Sequence, residues 1–262
     1  MKLLISDLDG TLYPSKNYEI PDQFERNIEA VHKWVNHGNM FAVATARGVH
    51  HYPVLVEKIG MDASYIGVNG AEMRLPSGEV IMKRMKSSVF IDLCKFVKEN
   101  KIDATVVTGL NDMWVWSSKE CYPVINSTRK PFWEEANVLD LDSIDPNSEI
   151  SGAKLFVHPA GRDKLKQQII DLNYQVEVTT SDVDMIDIGP LNSSKGISIL
   201  ELCERYKISS DDIIVVGDSE NDIPMFEVTE NSYCISHAEP AVVAKASKVV
   251  NSVEEVIDIE LG

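Results

Sequence analysis

Lys2-Leu3-Leu4-Ile5-Ser6-Asp7-Leu8-Asp9-Gly10-Thr11-Leu12 opens the chain. Leu3 to Ser6 are mostly apolar, too few for a helix, and closed by a turn signal, which predicts a short buried strand. Two carboxylates follow, two positions apart, with a glycine directly after them. Residues i and i+2 of an extended chain point the same way, so Asp7 and Asp9 are expected to converge at the strand's end. Like charges that close are unfavourable unless a cation or a shared proton offsets them. A hairpin competes with a metal site here, because Asp-Gly is a strong turn dipeptide. Pro14, however, interrupts the partner strand that Leu12 to Tyr18 would have to supply. An EF-hand loop also begins D-x-D but needs glycine sixth and glutamate twelfth, whereas here Gly10 is fourth and Tyr18 twelfth. Two solvated surface acids stay open as a reading of this stretch alone.

The 262 residues suit two ordinary domains or one large one and can bury a sizeable core. A hydrophobic content of 44% with 25% charged residues places the chain among globular proteins. Its formal charge of −16 argues against nucleic acid or an anionic membrane as partner. An anionic small substrate is still compatible, since a bound cation and a few placed basic residues can reverse the field locally. Cys94, Cys121, Cys203 and Cys234 are widely spaced and form no C-x-x-C pair, and Cys94 and Cys203 sit among apolar helical positions as small core residues. With no signal-peptide pattern and no run of membrane-span length, a reduced cytoplasmic protein is expected, as monomer or homodimer.

Beyond the opening strand, Phe24, Ile28, Val31 and Val35 recur at helical spacing between Pro21-Asp22 and Gly38, which predicts a helix over 22–36. Met40 to Ala44 reads as a second strand ending in Thr45-Ala46-Arg47. A helix over 54–59 and a third strand, Tyr65 to Val68, ending in Asn69-Gly70, follow. Strand and helix alternating at short intervals mark a parallel sheet with crossover helices, a Rossmann-like doubly wound α/β core. Ligands of such sheets bind beyond the C-terminal strand ends, where Asp7, Thr45 and Asn69 stand. Ala71 to Lys83 reads as a hairpin around Pro76-Ser77-Gly78. The mixed, partly antiparallel pattern over residues 84–187 reads as an α+β insertion between core segments 1–83 and 188–262. The core resumes with a helix at Ile197 to Tyr206 and a strand, Asp212 to Val216, ending in Gly217-Asp218. Short strands at Tyr233 to Ile235 and Lys248 to Val250 follow, before an acidic end, Glu254 to Glu260.

Gly217-Asp218-Ser219-Glu220-Asn221-Asp222 brings two further carboxylates to a strand end. With Asp7 and Asp9 they make four acids from two strands. Oxygen ligands without histidine or thiolate suit a hard cation, with Mg2+ the default. A helix N-terminus rich in acids explains Asp222 equally well, but not the D-x-D pair. Thr45 can offer a hydroxyl to a phosphate oxygen or simply cap the next helix. Lys195, in Ser193-Ser194-Lys195-Gly196, stands at a helix start, where the macrodipole disfavours a cation; an anion seated between its ammonium and the acids explains it, and a solvated lysine is the plain alternative.

These four segments, DLDGT at Asp7 to Thr11, VATAR around Thr45, SSKG around Lys195 and GDSEND at Gly217 to Asp222, resemble the haloacid dehalogenase-like superfamily in order, spacing and strand context. The place and type of the insertion are similar to the C2B cap of the Cof-type subgroup, as is Asn69-Gly70-Ala71. The resemblance implies a Mg2+-dependent phosphatase acting on a small-molecule phosphomonoester such as a sugar phosphate. Asp7 would be the nucleophile that becomes an aspartyl-phosphate, and Asp9 the acid and then the base. Mg2+ would be held by the Asp7 carboxylate, the Asp9 carbonyl and Asp218, with Asp222 as ligand or just outside. Thr45, Lys195 and Asn221 would hold the phosphoryl oxygens.

True dehalogenases lack the second aspartate, and P-type ATPases carry lysine at the place of Leu8 and need membrane helices. A phosphomannomutase-like enzyme pairs a similar motif with a similar cap and is the enzymatic alternative. A non-enzymatic phosphate- or metal-binding regulator is the alternative of another class. Asn69, Arg47, Trp114 and Trp116 are candidates for substrate contact, with sheet packing the plainer role for the two tryptophans. Arg129, Trp133 and His158 are further candidates in the insertion. His50 and His51 read as surface or helix-end residues.

Overall fold

The opening strand forms over Leu3–Ser6 and is buried at all four positions. It pairs in parallel with Ile213–Gly217 on one side and Met40–Ala44 on the other. Its side chains alternate between two cores. Leu4 packs in a cluster with Phe41, Val43, Ile214 and Val216, while Leu3 and Ile5 pack in another with Ala42, Ala44, Ile213 and Val215. A strand covered on both faces needs apolar residues at every position, so its sequence reads as an unbroken run. Each such side chain contributes about 1.5–3 kcal/mol by leaving water.

Helices close both faces. Gln23–Asn36 and Val253–Leu261 supply Val31, Trp34, Val253 and Val256 to the first cluster, and Lys195–Tyr206 supplies Ile199 and Leu202 to the second. Helices on both sides of a mostly parallel sheet make a doubly wound α/β fold. The computed structural model describes residues 1–14, 22–102, 104–110, 113–116, 137–138 and 141–262, and of 105, 107, 109–110, 113–116 and 137–138 the backbone alone.

Among the described residues the sheet runs Lys248–Val250, Ser232–Ile235, Ile213–Gly217, Leu3–Ser6, Met40–Ala44, Ser64–Gly67, Glu72–Arg74, Val80–Met82. The first six strands are parallel, and the last two form the antiparallel hairpin around Pro76-Ser77-Gly78. From its central opening strand the chain first builds outward to one side, then returns to build the other. The order therefore reverses between Leu3–Ser6 and Ile213–Gly217, and the crevice beyond such a reversal is where open sheets bind ligands.

The chain divides into two units, Met1–Met82 with Ser193–Gly262, and Lys83–Asn192. The second has its own core, with Phe90, Leu93 and Val97 of the Ser87–Glu99 helix and Leu165 and Ile169 of Arg162–Asp171 against Val106, Leu155 and Ile186. Its six-stranded sheet is antiparallel except for the Met113–Trp116 and Asn137–Val138 pair. The sequence reading ends this unit at 187. Met185–Pro190, however, pairs with both Ala153–Val157 and Val176–Asp182, which carries the unit to Asn192.

The helix read over Ile197 to Tyr206 spans Lys195–Tyr206, with Lys195 at its start as the Ser193-Ser194-Lys195-Gly196 reading has it, and the Ser194 hydroxyl accepts from the Ile197 N–H. One element differs from the sequence reading. The acidic end is a helix, Val253–Leu261, whose Ser252 cap accepts from Glu255 N–H at 3.1 Å. Val253, Val256 and Ile257 form its buried stripe. Cys94, Cys203 and Cys234 are buried free thiols, while Cys121 lies outside the described residues. No helix among the described residues is long and apolar enough to cross a membrane.

Trp34 is fully buried, and its indole N–H donates to the Met40 carbonyl at 2.8 Å. Trp34→Ala leaves a cavity and an unpaired carbonyl, and is expected to lower the unfolding free energy by about 3–5 kcal/mol. Urea unfolding followed by circular dichroism measures this; a loss below about 1 kcal/mol contradicts the packing described.

Candidate active site

Asp7 is the first residue beyond the opening strand. Its backbone N–H donates to the Val216 carbonyl at 2.9 Å, which extends the ladder by one rung and fixes the side chain at the crevice. Its Oδ1 accepts from Lys195 Nζ at 2.7 Å, and the same ammonium donates to Asp222 Oδ1 at 2.7 Å. Lys195 and Asp222 are both 0% exposed. Carboxylate oxygens of Asp7, Asp218 and Asp222 all lie within 4.8 Å of one another.

Burial pushes the Asp7 carboxyl well above its ordinary range; Lys195 pulls it back, while Asp222 and Asp218 push it further up. Burial raises Asp222 in the same way against the pull of Lys195. Burial also opposes the charge on Lys195, yet Asp222 and Asp7 outweigh it and hold the ammonium above the usual lysine range. Three carboxylates thus face one ammonium. An excess of buried negative charge is unfavourable, and a divalent cation would offset it.

The donor chemistry fits such an ion. Asp218 Oδ1 accepts from the Thr11 hydroxyl at 2.6 Å, and His237 Nε2 lies 3.3 Å from Oδ2. Asp7 Oδ2 has no hydrogen-bond partner among the described residues. Asp222 is already committed, since Oδ2 accepts from the N–H groups of Asp218 and Ser219 at 2.9 Å each and Oδ1 takes Lys195. Asp7 is therefore the side chain with an unpartnered oxygen to give to a hard cation; Asp218 stands beside it with Thr11 on Oδ1 and Ser219 Oγ and His237 near Oδ2, and Asp222 holds its neighbours in place. Two glycines permit this crowding. A Cβ on Gly10 would lie 2.8 Å from Asp218 Cγ, and one on Gly217 2.6 Å from Asp222 Cβ.

Asp9 does not converge with Asp7. The extended backbone stops at Ser6, and the chain then turns, with Leu12 N–H on the Asp7 carbonyl, Tyr13 N–H on that of Leu8, and Gly10 at φ 95°. The period-two alternation is lost with the strand. The Asp9 carboxylate is half exposed and held by Arg47, whose Nε and Nη2 donate to its two oxygens at 2.7 and 2.6 Å. That hydrogen bond raises the Arg47 pKa further.

Thr45 follows the Met40–Ala44 strand and is buried; its hydroxyl accepts from the Arg47 N–H at 3.2 Å. Asn221 donates from Nδ2 to Asn69 Oδ1 at 2.9 Å, while its own buried Oδ1 has no partner among the described residues. Asn69 N–H in turn donates to the Thr45 carbonyl at 3.0 Å. The core unit thus brings Asp7, Thr45, Asn69, Lys195, Asn221 and Asp222 together at neighbouring strand ends.

Trp114 and Trp116 lie on the Met113–Trp116 strand, but their side chains are outside the described residues, as are Arg129 and Trp133 altogether. His158 is exposed and caps a short turn, accepting from Ala160 N–H. His50 and His51 form part of one helical turn with rings 4.4 Å apart, and burial brings the His51 pKa down to about 4. Thr11 and His237 are site residues that sequence reasoning missed. Both carry a legible signal, since Thr11 closes the D-x-D-G turn and His237 follows the end of the Ser232–Ile235 strand.

The chain is 26% identical over 284 residues to the 5-amino-6-(5-phospho-D-ribitylamino)uracil phosphatase YwtE of Bacillus subtilis, covering 97% of this chain and 94% of that protein. Its fold matches a HAD/COF-like hydrolase from Plasmodium vivax with a TM-score of 0.81, at 18% identity over 100% of this chain and 96% of the other. The HAD subclass IIB sugar phosphatase BT4131 matches with a TM-score of 0.76, at 20% identity over 97% and 95%. The profile of haloacid dehalogenase-like hydrolases spans residues 4–258, nearly the whole chain, and the protein therefore belongs to that family.

Proposed function

We propose that this hydrolase is a phosphatase that cleaves a small phosphomonoester through a phosphoryl group carried on Asp7. One observation carries the reading above the others. Asp7, buried at the switch point of the sheet, keeps one oxygen on Lys195 at 2.7 Å and the other without a partner among the described residues. A carboxylate oriented on one oxygen and open on the other is poised to attack.

In the first half-reaction Asp7 Oδ2 bonds to phosphorus while the bond from phosphorus to the ester oxygen breaks, and that oxygen takes a proton from the Asp9 carboxyl. In the second, the Asp9 carboxylate takes a proton from water, whose oxygen bonds to phosphorus as the acyl-phosphate bond to Asp7 breaks. Asp7 is restored and inorganic phosphate leaves. Lys195 keeps Asp7 aimed and presents its remaining hydrogen to a phosphoryl oxygen. The Thr45 hydroxyl, which accepts from Arg47 N–H, has its own hydrogen to donate. Asn221 has a second amide hydrogen beyond the one given to Asn69. Mg2+ would be held by Asp7, Asp218 and the Asp9 carbonyl, and when bound supplies charge that offsets repulsion between carboxylate and phosphate.

A phosphorylated sugar or sugar alcohol is the substrate proposed here. One relative, named a 5-amino-6-(5-phospho-D-ribitylamino)uracil phosphatase, supports a phosphorylated substrate of this kind. Phosphate release, rather than an isomeric sugar phosphate, distinguishes this from mutase chemistry.

Asp7→Asn is expected to lower p-nitrophenyl phosphate turnover by roughly 10³-fold or more. It removes one of three crowded negative charges and leaves Lys195 paired to Asp222, so its thermal midpoint in chelator should equal or exceed that of the wild type. Wild-type turnover in the variant contradicts the nucleophile assignment. Excess chelator should abolish phosphate release and Mg2+ restore it. Mg2+ at 100 times its Kd should stabilise the fold by about 2.7 kcal/mol, read by differential scanning calorimetry. Turnover that persists in chelator, with no Mg2+-dependent shift, removes the ion from the scheme.

A further inference from the structure

The proposed acid and base stands beyond the opening strand, on the short Asp9–Gly10 segment that pairs with Tyr13–Pro14 around a tight turn at Thr11–Leu12. Asp9 lies beside Gly10, whose φ is 95°, and its side chain is 52% exposed. Among the described residues its carboxylate has one hydrogen-bonding partner, Arg47. A half-exposed carboxylate on so short a segment samples several rotamers, whereas proton transfer needs one oxygen within hydrogen-bond reach of the ester oxygen.

Arg47 is unusually well placed to remove that freedom. Its backbone is fixed on three sides. Its N–H donates to Thr45 Oγ1 at 3.2 Å, its carbonyl accepts from Val68 N–H at 2.9 Å, and Gly67 passes so close that a Cβ there would lie 2.8 Å from that carbonyl. The guanidinium then meets Asp9 with two parallel hydrogen bonds, which fix the plane of the carboxylate as well as its position. Lysine offers a point charge and could not do this. The same arginine gives its N–H to Thr45, so one residue spans the phosphate-binding hydroxyl and the proton-transfer carboxylate.

We propose that Arg47 is a positioning residue for proton transfer: it transmits the rigid end of the Met40–Ala44 strand to the Asp9 carboxylate and sets that group's orientation toward the leaving oxygen. The proposal rests on the phosphatase reading above and on Asp9 as its acid. It differs from a role for Arg47 in binding the substrate, which would weaken all substrates alike.

Leaving-group dependence separates the two. An alkyl phosphate expels a basic alkoxide and needs the proton, whereas p-nitrophenyl phosphate expels a stable phenolate and needs it little. Wild type, Asp9→Asn, Arg47→Ala, Arg47→Lys and the Asp9→Asn/Arg47→Ala double variant are compared on a sugar phosphate the enzyme turns over and on p-nitrophenyl phosphate, as kcat and KM separately. Arg47→Ala is expected to lower kcat roughly 10²-fold on the alkyl ester and only about threefold on the aryl ester, within the range of a lost general acid. Arg47→Lys should show the same split at smaller amplitude, which keeps the test open if the alanine variant folds poorly. In the Asp9→Asn background Arg47→Ala should add no more than about a twofold further loss of kcat on the alkyl ester. Equal losses on both esters, a change confined to KM, or full additivity with Asp9→Asn would overturn the positioning role. An Asp9→Asn protein as active as wild type on the alkyl ester would overturn the acid assignment beneath it. Loss of Asp7→Asn activity together with additive Arg47 effects would leave the phosphatase reading standing and the positioning role refuted.

Discussion

One buried ammonium, 2.7 Å from two carboxylates, is the interaction on which the site depends. Lys195 joins Asp7, 188 residues away in sequence, to Asp222, 27 residues away. Without it the crevice would hold two buried acids and a third partly buried one with no compensating charge, and the loops that carry them would be driven apart. With it, two strand ends on either side of the topological reversal are tied to the start of a helix. The hydrophobic sheet makes this possible. Leu3, Leu4 and Ile5 fix the strand so firmly that Asp7 cannot withdraw toward water.

Steric limits complete what charge begins. Asp222 reaches back to the N–H groups of Asp218 and Ser219 because Gly217 leaves room for its carboxylate, and Asp218 meets Thr11 because Gly10 leaves room for its own. Each glycine lies beside an acid that a side chain would displace. An overall charge of −16 repels a phosphate ester at long range, yet the field that matters is local. Lys195 and Arg47 stand among the acids, and a divalent ion would add two positive charges at the point of attack.

The α/β core was legible in the sequence because strands buried on both faces are written as short apolar runs, as at Leu3 to Ser6 and Ile213 to Val216. Functional residues at the ends of those runs followed from the same pattern. What escaped were features that depend on where the strand stops. Asp7 and Asp9 share a face only while the chain stays extended, and it turns at Asp7, so one acid faces Lys195 and the other Arg47. The C-terminal helix was hidden because its acids drew the eye from Val253, Val256 and Ile257 and from the Ser252 cap. Thr11 closes the D-x-D-G turn and His237 follows a strand end, but their link to Asp218 joins distant segments and shows only in the fold. A lysine at a helix start suggests an anion seated between its ammonium and the acids; in the fold the ammonium meets Asp7 and Asp222 directly.

In the proposed reaction the phosphoryl group passes onto Asp7, a step that chemical trapping reads out. Enzyme mixed with substrate and Mg2+ is quenched during turnover, treated with borohydride to reduce any acyl-phosphate to homoserine, digested, and read by mass spectrometry. The account predicts homoserine at Asp7 and at no other aspartate. An unmodified Asp7 in enzyme that is turning over, or homoserine at Asp9, Asp218 or Asp222 instead, would contradict it.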